Sequence, residues 1–306
     1  MSKELSIIIV TYNAMDWISK CLQSVSGFQV IVVDNNSDDG TKKFIKNNYP
    51  EVQLIEQAKN IGFGQANNIG ISQALTNGAK HVFLLNQDAW VLEECLGNLV
   101  ELQNKNPEFG ILSPVHLNAK KDKMDALFSQ HVSFQYNPYF FSDMVLKSEQ
   151  KELYEFPFIN AAAWLISKEC IENVGGFDPI FFHYGEDINY CSRARYHGFK
   201  IGLGVNNFIV HDREERKHQI ENFTRAHLNY KERNYKVRFA NITGSVSDEL
   251  KKKQADLKKD ILKNIIFFRF KNARFHLDEL LMIQRIIPEI KESRELNKLK
   301  GKHYLN

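Results

Sequence analysis

The first hundred residues alternate between two hydrophobic periods, and this alternation limits the chain to few folds. Short runs rich in β-branched apolar residues, such as LSIIIVT at 5–11, are typical of strands buried on both faces. Segments with apolar residues at helical spacing lie between them. We predict strands at 5–11, 29–34, 52–56 and 80–85, and helices at 14–25, 41–48, 65–76 and 93–104. This order predicts an α/β fold whose mostly parallel central sheet carries helices on both faces.

Polar residues follow several of these strands. In open α/β sheets, ligands bind beyond the carboxyl ends of the strands. We therefore expect the segments 11–13, 34–40 and 86–88 to border one crevice. Asp88 follows an apolar strand, where a carboxylate can hold a hard divalent cation together with substrate phosphates. The alternative is that Asp88 caps the helix at 93–104, although residues 89–92 separate the two.

Two turns beside the predicted crevice allow unusual backbone conformations. The turn NNSDDG at 35–40 is rich in residues that tolerate such dihedral angles, and Asp34 before it could accept a hydrogen bond from a base or ribose. An ordinary strand-to-helix turn is the alternative. The stretch NIGFG at 60–64 places two glycines before a helix, which would let the backbone approach a phosphate or sugar closely.

The second half of the chain has a weaker pattern. Residues 117–156 are polar and aromatic without a clear period, and we expect a long functional loop or insertion there. A regular pattern returns at 158–167, a helix is expected to begin near Glu186, and a strand is expected at 207–211. Within 261–290, seven apolar residues are expected on one helical face: Leu262, Ile265, Ile266, Leu277, Leu280, Leu281 and Ile287.

The net charge of +3 conceals an asymmetry between the two parts of the chain. Residues 212–306 contain 23 Lys and Arg against 14 Asp and Glu, whereas residues 1–211 contain 17 against 23. A basic tail fits an anionic membrane surface, a nucleic acid or a solvated helical bundle. Because no nucleic-acid-binding motif accompanies the charge, we expect no nucleic acid partner. A peripheral membrane contact and a homodimer through the C-terminal helices both stay open.

The sequence also predicts the compartment. No apolar stretch approaches the roughly 20 residues that span a bilayer, and the apolar run in MSKELSIIIV is too short for a signal peptide. The four cysteines are far apart and lack metal-ligand spacing, as is usual for reduced thiols. We expect a cytoplasmic protein, with peripheral attachment to the inner face of the cell membrane as an open addition.

Several motifs resemble those of one enzyme family. They are SIIIVTYN (6–13), VIVVDNNSDDGT (30–41), NIGFGQANNIGI (60–71), VFLLNQDAWV (82–91), the stretch from AAAWLIS to HGFKIG (161–202), and VH (210–211). In this order they resemble the inverting nucleotide-sugar glycosyltransferases of glycosyltransferase family 2, which have the GT-A fold. The nearest resemblance is to bacterial rhamnosyltransferase-like enzymes, through the NQD, GGFD and GED blocks and the tail element KERN (231–234).

The resemblance implies a domain organisation and an activity. A Rossmann-like GT-A catalytic domain would span 1–212, with a nucleotide-binding part at about 1–116 and an acceptor-side part at about 117–212, followed by a mostly helical basic region at 213–306. Such enzymes move a sugar, here from a UDP- or dTDP-linked donor and with rhamnose as one option, to a hydroxyl of a glycan or lipid-linked acceptor in cell-surface polysaccharide synthesis. The alternative is a catalytically decayed GT-A-fold nucleotide-binding or scaffold protein, against which the retained Asp88 and Asp187 argue.

The resemblance also assigns donor and metal residues. Asp88 and His211 would hold a divalent cation, Mn or Mg, although a structural role for His211 is an equal alternative. Asn86 stands where the family has the first acid of its Asp-X-Asp motif. Since an amide is a weaker ligand than a carboxylate, Asn86 would contact the donor instead. The expected nucleotide- and donor-binding residues are Thr11, Tyr12, Asn13, Asp34, Asn36, Asn60, Gly62, Asn67 and Asn86.

The resemblance places the chemistry in the block HYGED (183–187). Asp187 would be the general base that deprotonates the acceptor hydroxyl, and Glu186 would bind the acceptor or orient the site. A compatible alternative is that both acids begin a helix, where carboxylates interact favourably with the helix dipole. The expected acceptor-side residues are Trp164, Asp178 and His183, with a core position as the alternative for Trp164.

Overall fold

The computed structural model describes residues 4–213, 221–244 and 247–305. Their strands form one mixed sheet with the order β3-β2-β1-β4-β8-β6-β9-β5, and β7 pairs with β9. The strands are β1 (Leu5–Thr11), β2 (Gln29–Asp34), β3 (Gln53–Glu56), β4 (His81–Asn86), β5 (Ala89–Val91), β6 (Phe109–Leu117), β7 (Leu153–Glu155), β8 (Ala163–Ser167) and β9 (Lys200–His211).

Helices connect these strands and form the C-terminal part. They are α1 (Ile18–Ser24), α2 (Thr41–Asn48), α3 (Phe63–Thr76), α4 (Cys95–Lys105), α5 (Ala126–His131), α6 (Pro138–Leu146), α7 (Lys168–Val174), α8 (Glu186–Tyr196), α9 (Arg225–Phe239), α10 (Ser247–Ile266) and α11 (Phe270–Asn297). The predicted α/β class with a mostly parallel central sheet and a C-terminal helical extension is confirmed.

The sheet is parallel where the sequence alternates and mixed beyond that region. β3, β2, β1 and β4 are all parallel neighbours. β8 then lies antiparallel to β4 and β6, and the short strands β5 and β7 lie antiparallel to β9. We did not predict β5, β6 or β7, and β9 begins at Lys200 instead of at 207.

Both faces of the sheet are buried, as the apolar strands predicted. Successive residues of β1 enter opposite cores, so that Ile8 packs in one core while Ile7 and Ile9 pack in the other. The first core contains α3, α7 and α8, and the second contains α1, α2 and α4. Because helices cover both faces, ligands can reach the sheet only at its edges and at the ends of its strands.

The segment at 117–156 differs from the featureless loop that we expected. It contains α5, α6 and β7, and it contributes the buried side chains of Phe128 and Phe140 to the first core. Asp125 and Asn137 accept hydrogen bonds from backbone N–H groups in the first turns of α5 and α6. Each helix is too short to show a helical period in the sequence, but its cap and its buried phenylalanine specify it.

The single apolar face predicted for 261–290 is wrong. α10 ends at Ile266 and α11 begins at Phe270, so the segment is a helical hairpin. Leu280 is buried between the helices, whereas Leu262, Ile265, Ile266 and Leu281 are exposed. The hairpin packs with α9 and with Phe181 in a third apolar cluster, which joins the C-terminal helices to the loop before α8.

Candidate active site

The ends of three parallel strands meet at one edge of the sheet. Thr11 at the end of β1 lies opposite Asp34 at the end of β2. On its other side, β1 pairs with β4, with Val10 opposite Asn86. β8 runs in the opposite direction, so its first residue, Ala163, reaches the same edge. The predicted segments after β1, β2 and β4 therefore border one crevice.

Asp34 organises the turn after β2. Its buried carboxylate accepts hydrogen bonds from Thr11 Oγ1 at 2.8 Å, from the Ser37 N–H at 2.8 Å and from Ser37 Oγ at 2.6 Å. Asp34 and Thr11 have no exposed surface. These bonds give both residues a structural role in the turn, and their contact with a nucleotide stays a prediction.

The loop after β1 is fixed on both sides. Asn13 donates its N–H to Ser37 Oγ at 2.9 Å and accepts from the Asp38 N–H at 3.0 Å. Tyr12 donates its N–H to Gln87 Oε1 at 2.7 Å, and Gln87 Nε2 donates back to the Tyr12 carbonyl at 3.2 Å. The Tyr12 side chain is half exposed at the rim of the crevice, which leaves its ring free to contact a ligand.

Asn36 and Asn60 occupy opposite ends of the turn region. Asn36 is exposed, has a φ of 71°, and lines a surface depression of about 640 Å³ together with Lys42, Lys43 and Lys46. Asn60 instead accepts from Asn35 Nδ2 at 2.9 Å. The depression lies beside α2 and not at the Asp88 side of the crevice.

Gly62 lies where the start of α3 meets the loop at 181–185. Its φ is 88°, and a Cβ atom at this position would lie only 2.1 Å from the Phe182 carbonyl oxygen. The N–H of Phe63 donates to the same oxygen at 3.2 Å. A side chain is therefore excluded at residue 62 by both conformation and space, and the loop at 181–185 is held against the start of α3.

Asp88 and His211 form a pair that suits a divalent cation. β5 pairs with β9 so that Ala89 lies opposite His211, which brings His211 Nε2 to 3.4 Å from Asp88 Oδ1. Neighbouring ligands of one octahedral Mg²⁺ or Mn²⁺ lie about 3 Å apart. The described residues contain no group of three or more His, Cys, Asp or Glu that could hold a metal.

A short backbone link brings Asn86 and Asp187 together. The Asn86 N–H donates to the Ala162 carbonyl at 2.9 Å. The N–H of the preceding residue, Ala161, faces the Asp187 carboxylate and acts to lower its pKa. Asn86 and Asp187 therefore contact one dipeptide from two sides, and Asp88 follows Asn86 by two residues. A crevice shared by Asp88 and Asp187 stays a prediction.

Glu186 and Asp187 occupy the first turn of α8, but their surroundings differ. Gly185 precedes them with a φ of 96°. Glu186 is buried, and burial together with the neighbouring charge of Asp187 raises its pKa to about 8. Burial also raises the pKa of Asp187 above its ordinary value, although the N–H groups of Ile188 and Ala161 oppose this effect. Near pH 7 Glu186 is thus mainly protonated.

Arg233 of α9 faces the same acidic pair. Its guanidinium lies 5.2 Å from the ring centres of both Tyr184 and Tyr230. Its charge opposes the rise in the pKa of Glu186 and helps desolvation to lower the pKa of His183. The His183 ring packs against the Tyr184 ring, with 3.9 Å between centroids. His183 thus lies in the loop beside the acids, and its acceptor contact stays a prediction.

Three of the expected site residues are structural instead. Trp164 is fully buried, stacks on Phe177 and donates its indole N–H to the Ile159 carbonyl at 3.1 Å, so it cannot stack on a sugar. Asp178 is buried and accepts hydrogen bonds from Ser293 Oγ at 2.5 Å and from Asn297 Nδ2 at 2.8 Å.

Asn67 is the third of these residues. It is 1% exposed and donates to the Phe63 carbonyl within α3, so its side chain offers no surface to a donor. The sequence predictions for Trp164, Asp178 and Asn67 are therefore corrected. All three stand in polar or aromatic motifs, and sequence alone does not tell a buried polar residue with local partners from an exposed one.

The structure adds positioning residues that the sequence analysis missed. Asn68 clamps the turn after α7 by accepting from the Phe177 N–H at 2.7 Å and donating to the Phe177 carbonyl at 2.8 Å. Gln87 and Arg233, described above, are two others. His116, whose pKa burial lowers well below the ordinary value, lies behind His211 with 6.2 Å between ring centroids. In the sequence, Asn68 and Gln87 could have been recognised from the paired amides NN at 67–68 and from the Gln of NQD at 86–88.

Three of the eleven buried polar atoms that lack a partner among the described residues belong to the expected site residues. Among the described residues, Asn86 Oδ1, Glu186 Oε2 and His211 Nδ1 are buried and have no hydrogen-bond partner. Such atoms are rare in folded proteins because each costs free energy. Three of them around one crevice indicate a place where a polar ligand completes the hydrogen bonding.

The fold and this crevice define a GT-A glycosyltransferase: a mostly parallel sheet, polar loops at its strand ends, an acid beside a histidine, and a carboxylate pair at a helix start. The sequence model described as "Glycosyl transferase family 2" matches residues 6–174, which is more than half of the chain. The chain therefore belongs to glycosyltransferase family 2. The match ends before Glu186, Asp187 and His211, whose roles stay predictions.

Known proteins agree with this membership. The chain is 24% identical over 242 residues to the low-salt glycan biosynthesis hexosyltransferase Agl10 of Haloferax volcanii, covering 76% of this chain and 75% of the relative. It is 25% identical over 219 residues to the N-acetylglucosaminyl-diphospho-decaprenol L-rhamnosyltransferase of Mycobacterium tuberculosis, covering 63% and 71%. The mannosyltransferase PcManGT from Pyrobaculum calidifontis, solved with GDP-Man and Mn²⁺, superposes with a TM-score of 0.50 at 17% identity, covering 94% and 75%.

These comparisons confirm the predicted family, its rhamnosyltransferase-like character and the glycosyltransferase activity. The matches include archaeal proteins, so the restriction to bacterial enzymes is not confirmed. In the described residues, no helix combines the length and apolar character that crossing a membrane requires.

Proposed function

We propose that this glycosyltransferase moves a sugar from a nucleoside-diphosphate sugar to an acceptor hydroxyl with inversion at the anomeric carbon. The observation that carries the proposal is the contact of Asn86 and Asp187 with the single dipeptide Ala161–Ala162. It sets the leaving-group side of the crevice directly beside a carboxylate. An inverting transfer needs a base on the face opposite the leaving group, and we assign this role to Asp187.

In the proposed reaction, Asp187 accepts the proton of the acceptor hydroxyl while that oxygen attacks the anomeric carbon. The bond between this carbon and the diphosphate oxygen breaks, and the nucleoside diphosphate leaves with the electron pair. A base works better as its pKa approaches the working pH, so the raised pKa of Asp187 favours this role. Its position in the first turn of α8 holds the carboxylate rigidly.

Glu186 has a complementary role in this proposal. With a pKa of about 8 it is mainly protonated at neutral pH, so it donates a hydrogen bond instead of adding a second negative charge. Its buried Oε2 lacks a partner among the described residues and is free to contact a sugar hydroxyl. The two neighbouring acids thus divide into a hydrogen-bonding acid and a base because their burial differs.

We propose Mn²⁺ or Mg²⁺ as the cofactor. Asp88 and His211 would hold it, and the bound cation would neutralise the charge that develops on the departing diphosphate. The presence of Mn²⁺ and GDP-Man with the structural neighbour PcManGT agrees with this choice. Asn86 then contacts the donor through its unpartnered Oδ1.

The acceptor and the location are proposed from the relatives. The mycobacterial relative is named for a lipid diphosphate carrier that bears N-acetylglucosamine, and the archaeal one for glycan synthesis. We propose a glycan or lipid-linked acceptor, a hexosyl or rhamnosyl group from a UDP- or dTDP-linked donor, and a site of action in the cytoplasm at a membrane. A homodimer through the C-terminal helices stays a prediction that sedimentation of the full chain tests.

The function is tested with a panel of UDP-, dTDP- and GDP-linked sugars in the presence and absence of Mn²⁺. For the donor that is turned over, Asp187→Asn should lower kcat by about 100- to 10,000-fold while nucleotide affinity measured by calorimetry changes by less than about twofold. The matched control Asp16→Asn alters an exposed carboxylate outside the crevice and should keep full activity. NMR of the product should show the inverted anomer.

Two results would contradict the proposal. One is an Asp187→Asn variant that keeps more than about a tenth of the wild-type kcat, because a general base contributes far more than that. The other is a product with the same anomeric configuration as the donor.

A further inference from the structure

The hairpin formed by α10 and α11 ends in an exposed apolar tip. The last fully buried side chain of α10 is Leu257, half-buried Ile261 still packs on the third cluster, and full burial resumes at Ala273 on α11. We call residues 262–271 the hairpin tip. Six of its side chains are large and apolar, and they are 47% to 80% exposed: Leu262, Ile265, Ile266, Phe267, Phe268 and Phe270. A contiguous apolar surface of this kind on a folded protein marks an interaction site.

Phe268 occupies a position that the helix end alone would not give to phenylalanine. α10 closes with hydrogen bonds from the Phe268 N–H to the Ile265 carbonyl and from the Arg269 N–H to the Asn264 carbonyl. In this closing motif the left-handed residue is usually glycine, but Phe268 adopts it with a φ of 56°. Its ring is 80% exposed. Its ring contacts that of Phe270, with 6.2 Å between centroids, and Phe270 is itself exposed. The chain therefore carries backbone strain here without burying the Phe268 ring.

The charges around the tip are all positive. No acidic residue lies between Asp260 and Asp278, whereas Lys263, Arg269 and Lys271 lie within the tip. All three cations are exposed, and none of them pairs with a carboxylate among the described residues. The guanidinium of Arg269 lies 5.9 Å from the ring centre of Phe267. The ten residues of the tip thus combine six exposed apolar side chains with three cations that have no acidic partner among the described residues.

We propose that the hairpin tip inserts into the interface of a bilayer that contains anionic lipids. Phenylalanine and isoleucine side chains would enter the boundary between headgroups and acyl chains, while lysine and arginine reach up to the lipid phosphates. No described helix spans a membrane, so the contact is peripheral. The site of insertion is separate from the crevice, and the proposal does not depend on the proposed reaction.

The charge argues against a second copy of the chain as the occupant. Two tips in contact would bring six unpaired cations together, which is unfavourable in a desolvated interface. An anionic lipid surface has the opposite charge, and each Lys or Arg near it strengthens binding about fivefold. The tip is also the end of a hairpin and not a groove, so it suits a surface into which it can penetrate.

The first test is flotation of the full chain with vesicles of phosphatidylcholine alone or mixed with phosphatidylglycerol. The wild type should float with the mixed vesicles and much less with phosphatidylcholine alone. Neutralising the tip by Lys263→Gln, Arg269→Gln and Lys271→Gln should weaken binding about 100-fold. A control with Val145→Ser and Leu146→Ser removes equally exposed apolar side chains from α6 and should bind as the wild type does.

The second test separates membrane insertion from a structural role of the tip. Phe268→Gly relieves the left-handed strain, so it should leave the melting temperature unchanged or raise it, while weakening vesicle binding about tenfold or more. The control Glu94→Gly relieves the same kind of strain at the start of α4, where φ is 62°, and should not weaken binding. In addition, brominated lipids should quench the fluorescence of a Phe268→Trp variant more strongly than that of the wild type.

The proposal is overturned if the wild type does not float with the mixed vesicles, or if Phe268→Gly binds as tightly as the wild type. It is also overturned if the tip variants change the sedimentation of the chain without vesicles, because the tip would then be an interface between copies. Equal loss of binding in the α6 control would show that exposed apolar surface in general, and not the tip, holds the lipid.

Discussion

The protonation of Glu186 makes the stability of this chain depend on pH in a predictable direction. The carboxyl is 4% exposed, and its pKa is about 8 in the folded chain against an ordinary value of 4.5. Between these values the folded chain keeps a proton that the unfolded chain has released. Since the folded state then binds more protons, its stability falls as the pH rises through this window.

The size of the effect follows from the pKa difference. Each pKa unit corresponds to about 1.4 kcal/mol, and between about pH 6 and pH 8 the linkage costs the folded chain roughly 2 kcal/mol. Glu186→Gln removes this titration but keeps the shape and hydrogen-bonding capacity of the side chain. We therefore expect the variant to gain roughly 2 kcal/mol relative to the wild type when the pH is raised over this range.

Urea unfolding at both pH values measures this change, with the fluorescence of the buried Trp164 among the signals. The matched control is Glu51→Gln, which alters an exposed carboxyl and should leave the difference from wild type independent of pH. Asp187→Asn should reduce the wild-type pH dependence, because the charge of Asp187 helps to raise the pKa of Glu186. If Glu186→Gln and the wild type differ equally at both pH values, the burial argument is refuted.

Three further predictions concern the crevice. Gly62→Ala should lower the free energy of unfolding by roughly 2–4 kcal/mol in urea titrations, because the new Cβ would meet the carbonyl of Phe182. Gly40→Ala, with a similar φ but open space around it, should cost only about 1–2 kcal/mol, and equal costs would contradict the steric reason. Asn68→Ala leaves a buried N–H and carbonyl without partners and should cost roughly 2–5 kcal/mol by the same titration, whereas a loss below about 1 kcal/mol would show that the clamp is dispensable. Asp88→Asn should raise the Mn²⁺ concentration for half-maximal activity at least about tenfold, and an unchanged requirement would remove it from the metal site.

The sequence predicted the first half of the fold, from β1 to β4, well because each strand and helix there shows its own hydrophobic period. The apolar runs of β1 and β2 alternate into two cores, and their ends at Thr11 and Asp34 meet as the parallel arrangement requires. Short loops leave few alternatives for connecting such strands. Asp88 was placed correctly at the edge of the sheet for the same reason.

The structure of the second half of the fold, from β6 onward, depends on contacts between segments that are distant in the sequence. β8 lies between β4 and β6 in the antiparallel direction, and nothing in its five residues specifies those neighbours. Asp178 is polar and follows a glycine pair, but its partners Ser293 and Asn297 come from the far end of the chain. Hydrophobic periodicity carries no information about such pairings. The sequence analysis therefore assigned a ligand contact to Asp178, which instead connects two buried segments.

The same limit explains the C-terminal error. The apolar residues of 261–290 fit one helical face, but Phe268 takes a left-handed conformation that normally belongs to glycine. A phenylalanine gives no sign of such a turn. The predicted single helix is therefore divided into α10 and α11 at a mainly apolar stretch, IIFFRF (265–270), that contains no glycine or proline.

The dipeptide Ala161–Ala162 lies between Asn86 and Asp187 and contacts both. Because the Ala162 carbonyl accepts a hydrogen bond from Asn86 and the Ala161 N–H faces Asp187, in the proposed reaction two covalently joined residues would fix the distance between the leaving group and the attacking hydroxyl. Substitutions among the exposed side chains of 117–156 would leave that distance unchanged, because Phe128 and Phe140 anchor the segment in the first core. Under the proposed mechanism, variants of this segment would therefore still invert the anomeric carbon.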